Sequence, residues 1–162
     1  QIICLAGDGS IQQNIQELAN IAYYKYNIKI FVLNNNGYHS IRQTQTNFFG
    51  SPHVGCGPES GVAFPDMQKI AKAYDIDYLQ IKSHKQLEPT ITSAIQTDSP
   101  CICEVMLTLD QQFSPKASSK TLADGTIVSS SLENLKPFLK DEELQSNIFY
   151  SEASEKTNTT IA

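Results

Sequence analysis

Asp8 stands between two glycines in Gly7-Asp8-Gly9-Ser10, and the chain later presents Asn34-Asn35-Asn36-Gly37. A carboxylate, amide oxygens and tight glycine turns are the parts that hold a divalent cation against a diphosphate. Magnesium takes octahedral oxygen coordination with one or two carboxylates, completed by phosphate oxygens and water. Asp8 can supply the carboxylate and Asn35 an amide oxygen, while Gly37 offers a carbonyl that no side chain of its own obstructs. Gly7 and Gly9 let the backbone approach a ligand closely. Each motif alone is also ordinary turn chemistry. Two such turns at the ends of neighbouring strands are harder to explain that way.

The flanking pattern supplies those strands. Ile2 to Ala6 is a continuous apolar run that reads as a strand buried on both faces of a parallel sheet. From Ser10 the apolar positions Ile11, Ile15, Leu18, Ala19 and Ala22 follow the helical period. Ser10 and Gln13 have the S-x-x-Q form of a capping box, so a helix is expected to open at Ser10. Free N–H groups and the dipole at that helix start suit a diphosphate. Ile28 to Leu33 reads as a second buried strand, which makes residues 2–34 a β-α-β unit with a right-handed crossover. Asp8 and Asn35 then fall just past the carboxyl ends of two parallel strands, where open α/β sheets bind ligands.

Further along, Pro65-Asp66 opens a helix with Met67, Ile70, Ala71 and Tyr74 on one face. Asp77 to Ile81 is a short strand, Leu87, Ile91, Ala94 and Ile95 mark another helix, and Cys101 to Leu107 is a fourth strand. The expected class is therefore α/β, a doubly wound and mostly parallel sheet. The Gly- and Pro-rich stretch after Ser51 is too irregular for a simple connector, and such loops are often functional.

The motifs resemble those of thiamine diphosphate enzymes, and this version is similar to the acetolactate synthase large subunit. G-D-G-S, the helix residues Asn14-Ile15-Gln16-Glu17-Leu18-Ala19, a hydrophobic strand and N-N carry the likeness, followed by Ile41-Arg42-Gln43-Thr44-Gln45 in place of V-R-Q-W-Q. It is strong over residues 1–46 and collinear to about residue 109. The resemblance implies that Asp8, Asn35 and the Gly37 carbonyl bind Mg²⁺. It also implies that Gly7, Gly9, Ser10 and the Tyr38-His39 backbone line the diphosphate of thiamine diphosphate, with Ile41 near the thiazolium ring. Two departures bear on the reaction. Thr44 replaces the family's tryptophan, which helps shape the substrate pocket, so a different 2-keto acid substrate is open. Ile41 stands where related decarboxylases often carry a glutamate, which favours carboligation or lyase chemistry over simple decarboxylation.

In this family the activating glutamate lies in a separate pyrimidine-binding domain, usually of the partner subunit. With Gln1 falling directly in a strand, the chain is expected to be a fragment lacking that domain and the N-terminal edge of its sheet, and to be inactive alone. No catalytic residue is assigned within it. A homodimer or homotetramer is expected for the complete protein. Glu17 reads as a solvated or capping residue, and Arg42 either contacts substrate or diphosphate or pairs with an acidic neighbour.

Composition fits one soluble cytoplasmic domain over residues 1–150, with a polar, flexible tail over 151–162. The chain has 162 residues and 40% hydrophobic content, enough for a core, and a net charge of -5 that argues against nucleic acid as the main partner. No apolar run is long enough to span a membrane. Cys4, Cys56, Cys101 and Cys103 lack C-x-x-C pairing and read as reduced core residues, while His39, His53 and His84 are too scattered in sequence to suggest a metal cluster. Lys116 and Lys120 fall in a polar, flexible segment that either closes over the cofactor or is solvated. Two other readings remain: a non-catalytic assembly module on this fold, and a nucleotide-binding domain, which the absence of G-x-x-x-x-G-K-[ST] and G-x-G-x-x-G weakens.

Overall fold

The computed structural model describes residues 1–109 and 111–148. Contacts divide the chain into two units, Gln1–Gln111 and Gln112–Ala162. In the first, β1 (Ile2–Gly7), β2 (Ile28–Asn34), β3 (Asp77–Ile81) and β4 (Cys101–Met106) form one parallel sheet in the order β1-β2-β4-β3. The apolar runs read from the sequence are these strands, to within a residue at each end.

The connections explain why the sheet is covered on both faces. The first two crossovers advance across the sheet and the third turns back, so a single crossover hand puts the third helix on the opposite face. Leu18, Ile30, Val32, Met67, Ala71, Ile76 and Ile102 form the core of one face. It is covered by α1 (Leu18–Tyr23) and α3 (Met67–Ala73). Phe31, Ile81, Ala94, Cys101 and Cys103 form the other core, under α4 (His84–Gln96). Helix α3 starts where Asp66 accepts the Lys69 N–H at 3.0 Å, as an N-cap should. Between β2 and α3 lies α2 (His39–Phe48), which follows directly on the Asn-Gly turn.

Two local expectations are corrected. Strand β1 is not buried on both faces: it is an edge strand, with Ile2, Ile3 and Leu5 61%, 54% and 70% exposed and Cys4 exposed beside them. Hydrophobicity along a run cannot report on which strands will flank it. The capping box is also not formed. Ser10 makes no side-chain cap, and a 3₁₀ segment, Ile11–Glu17, precedes α1. Asn14 within that segment has non-helical angles (φ -132°, ψ 27°), so a continuous α-helix does not start until Leu18. Glu17 is exposed and accepts from Asn20 at 2.8 Å, in keeping with a solvated role.

The second unit holds an antiparallel hairpin, β5 (Ser119–Thr121) with β6 (Ile127–Ser129), and a short helix α5 (Asp141–Asn147). The segment expected to be flexible is thus partly ordered, and Lys120 lies 4.6 Å over the Phe138 ring. The expected tail over 151–162 lies outside the described residues. Among the described residues no helix is long and apolar enough to cross a membrane.

Candidate functional site

Parallel pairing of β1 with β2 brings the two polar turns together, because Gly7 registers with Leu33 and the chain leaves both strands at the same level. Asp8 is 4% exposed. Its Oδ1 accepts the Gly9 N–H and its Oδ2 accepts the Gly37 N–H, each at 2.9 Å, so one carboxylate ties the first turn to the second. Burial pushes the Asp8 carboxyl above its ordinary value, opposed by the N–H groups of Gly37, Gly9 and Asn36. A nearby cation would favour the charged form that burial disfavours.

The second turn is shaped by its own side chains. Asn34 Oδ1 accepts the Asn36 N–H at 2.9 Å, and Asn36 takes a left-handed conformation at φ 57°. Gly37 follows at φ +145°, where a Cβ would fall 2.1 Å from the Cys56 carbonyl oxygen. No other residue fits there. Its carbonyl accepts the His39 N–H at 3.0 Å, which leaves one lone pair available. The Asn35 Oδ1 atom is buried and has no hydrogen-bond partner. Buried polar atoms are nearly always paired, so an orphaned one calls for an explanation such as an ion. A carboxylate, an amide oxygen and a carbonyl form an oxygen-only donor set, which suits a hard cation such as Mg²⁺ rather than a soft one.

Two further residues hold this turn in shape. Arg42 is buried and donates to the carbonyls of Asn35, Asn36 and Cys56 at 3.4, 3.1 and 3.4 Å, and its Nε is 3.9 Å from Glu59 Oε1. Pairing with an acidic neighbour, one of the two roles open to Arg42 from the sequence, is present. Glu104 was not singled out by sequence reasoning. It is 6% exposed and accepts from Asn34 Nδ2 at 2.7 Å, Tyr78 OH at 2.5 Å and Gln80 Nε2 at 2.8 Å. By fixing the Asn34 amide, Glu104 helps set the Asn36 turn. The Tyr78 hydroxyl is pushed above its ordinary range by burial and by this carboxylate. The available signal was a lone carboxylate inside the apolar run Cys101 to Leu107, since a buried charge needs partners.

The remaining sequence candidates fall around the same turns. A Cβ on Gly9 would lie 2.5 Å from Tyr38 Cε1, so the tyrosine ring packs over the glycine backbone, with Phe64 edge-on at 5.3 Å. The Tyr38 N–H donates to the Cys56 carbonyl at 2.8 Å. Ser10 and Ile41 are exposed, and His39 is buried.

With this geometry, the family described as "Thiamine pyrophosphate enzyme, C-terminal TPP binding domain" matches residues 1–105. The chain belongs to this family. The TPP-binding domain is 32% identical over 114 residues to the acetolactate synthase large subunit of Porphyra purpurea, a match covering 70% of this chain and 19% of that protein. It is 30% identical over 114 residues to the acetolactate synthase of Arthrospira platensis, with the same shares covered. Among solved structures it is similar to the thiamine diphosphate-dependent 4-hydroxybenzoylformate decarboxylase of Rhodococcus jostii RHA1, at a TM-score of 0.57 and 28% identity, covering 69% of this chain and 20% of that one. The chain spans about a fifth of the length of the relatives it matches.

Proposed function

We propose that the turns at Gly7, Asp8, Gly9 and Ser10 and at Asn35, Gly37, Tyr38, His39 and Ile41 hold thiamine diphosphate through Mg²⁺. We further propose that the complete protein acts on 2-keto acids by acetolactate synthase-like carboligation. The observation that carries the metal site is the orphaned Asn35 Oδ1, on the turn that the Asp8 carboxylate binds through Gly37 N–H. Asp8, Asn35 and the Gly37 carbonyl hold the ion. Gly9 and the backbone of the Ser10 and Tyr38 turns meet the diphosphate, while Ile41, exposed on the first turn of α2, is available to the cofactor ring. When bound, the cofactor supplies the carbanion chemistry, and the protein's part is to bind and orient it. A pyrimidine-binding domain outside these residues, in a homodimer or homotetramer in the cytoplasm, completes the site. This chain alone does not turn over substrate.

Calorimetry of the complete protein with thiamine diphosphate and Mg²⁺ tests the site. Binding is expected for the natural sequence and lost for Asp8→Ala; equal binding by both would sink the metal assignment. Similarity to a decarboxylase supports a second reading, decarboxylation or lyase chemistry without ligation. Incubation with pyruvate and other 2-keto acids separates the two, because ligation gives a joined product along with CO₂. Cofactor binding with no product from any 2-keto acid would favour a non-catalytic assembly module.

A further inference from the structure

The loop after α2 gathers three chemically different side chains that are unremarkable in the linear sequence. His53, Cys56 and Glu59 follow one another as H-x-x-C-x-x-E, and one ligand atom from each lies within 4.8 Å of the others. Cys56 is fully buried, with its Sγ 4.0 Å from Glu59 Oε1 and 3.8 Å from Ser60 Oγ. His53 Nε2 is 2.9 Å from Thr46 Oγ1. The backbone that presents them is already built: the N–H groups of Cys56 and Gly57 both donate to Ser60 Oγ, at 2.9 and 3.0 Å. A Cβ on Gly57 would stand 2.6 Å from both the Arg42 guanidinium and the folded-back Glu59 carboxylate, so these two side-chain ends pack directly over the glycine.

We propose that His53, Cys56 and Glu59 bind a borderline-soft divalent cation of the Zn²⁺ type, at a site separate from Asp8 and Asn35. A mixed sulfur, nitrogen and oxygen set selects such ions over Mg²⁺ or Ca²⁺, and three protein ligands leave a fourth position for water. The charges agree. A thiolate and a carboxylate neutralise the ion, and the Arg42 guanidinium beside Glu59 is already shared among three backbone carbonyls. Binding must displace the Cys56 proton, since only the thiolate ligates. The Cys56 carbonyl accepts from Tyr38 N–H and Arg42, so an ion here braces the loop against the Asn35–Gly37 turn.

The test is titration of the metal-stripped complete protein with Co²⁺ alone, in a Cys4→Ser background that removes the exposed thiol. A thiolate-to-cobalt charge-transfer band is expected, saturating at one equivalent and displaced by Zn²⁺. Cys56→Ser should abolish the band, and His53→Ala should weaken Co²⁺ binding about tenfold or more, at the scale by which disturbing a site's supporting groups lowers metal affinity. Asp8→Ala should leave the band unchanged, which keeps this site's test independent of the cofactor site. No band in the natural protein, a band that survives Cys56→Ser, or one unaffected by His53→Ala overturns the proposal. Should Cys56→Ser fail to fold, His53→Ala alone decides.

Discussion

At the amino ends of β2, β3 and β4 the sheet buries a cation, and at the carboxyl ends it buries carboxylates. Lys29 is 0% exposed, and its Nζ donates to Thr97 Oγ1 at 3.0 Å and to the Ser99 carbonyl, while Ser99 Oγ donates to Asp77 at 2.7 Å. The opposite end places Asp8 and Glu104 in the interior, and its buried cation, Arg42, is spread over three carbonyls and Glu59. Each end also keeps an unpaired amide oxygen, Asn27 at one and Asn35 at the other. Their surroundings differ. Asn27 donates to Asp98, which is exposed to water, whereas the turn of Asn35 is bound by the buried Asp8 carboxylate. Both ends hold a buried cation, but Lys29 is met by neutral oxygens with no buried carboxylate beside it, whereas the end of Arg42 keeps two buried carboxylates and an orphaned amide oxygen, the surplus of acceptors on which the proposed metal site rests.

The strongest way to break this contrast is at Glu104. Glu104→Leu strands three donors, from Asn34, Tyr78 and Gln80, at about 1–3 kcal/mol for each that stays buried. A loss of roughly 2–4 kcal/mol in urea unfolding is expected, together with weaker Mg²⁺-dependent cofactor binding because the Asn34 amide is no longer held. Glu104→Gln keeps an acceptor and should lose less on both measures. A leucine variant with unchanged stability would show that the carboxylate contributes nothing to the turn.

Lys29→Met probes the other end. It leaves the Ser99 carbonyl without its buried donor, and about 1–3 kcal/mol of stability should go with it. Cofactor affinity should not change. If Lys29→Met weakened cofactor binding as much as Glu104→Leu, the two ends would not be separable. The interior between them gives a smaller effect through pH. Burial, and then the neighbouring Cys101, push the Cys103 thiol up to about 11 from an ordinary 9.0. The unfolded chain therefore releases this proton at lower pH than the folded one. Stability should be unaffected below pH 9 and fall as pH rises toward 11, by about 1 kcal/mol at pH 10. Cys103→Ala should flatten that slope in thermal melts across the alkaline range, and an unchanged slope would place the titrating group elsewhere.

How much of this was legible before the fold depends on the range of the interactions. Strands β2, β3 and β4 and the helices α3 and α4 follow from local periodicity, and parallel pairing of consecutive β-α-β strands was enough to bring Asp8 beside the Asn-Gly turn. Glu104 required the register of three strands, since its partners come from β2 and β3. The exposure of β1 depends on which strands flank it, and the approach of His53 to Cys56 and Glu59 on the path of an irregular loop. Ser10 failed as a cap for a local reason: its own backbone is helical (φ -69°, ψ -39°), whereas a capping side chain needs non-helical angles.

The finest test of the contrast is a substitution expected to improve stability. In the absence of a metal, the buried Asn35 Oδ1 has lost its hydration without gaining a partner, which is unfavourable for the folded chain. Asn35→Leu replaces the amide by an apolar group of similar size, so the metal-free protein should gain up to about 1 kcal/mol in urea unfolding. If the proposed site holds, the same variant should lose stabilisation by added Mg²⁺ and thiamine diphosphate, because ligands that bind only the folded state stabilise it more the tighter they bind. Opposite signs with and without the ligands are the signature of an acceptor kept for a cation. A loss of stability in both conditions would mean that Asn35 serves the turn itself, and the surplus of acceptors at the carboxyl end would then be no mark of a metal site.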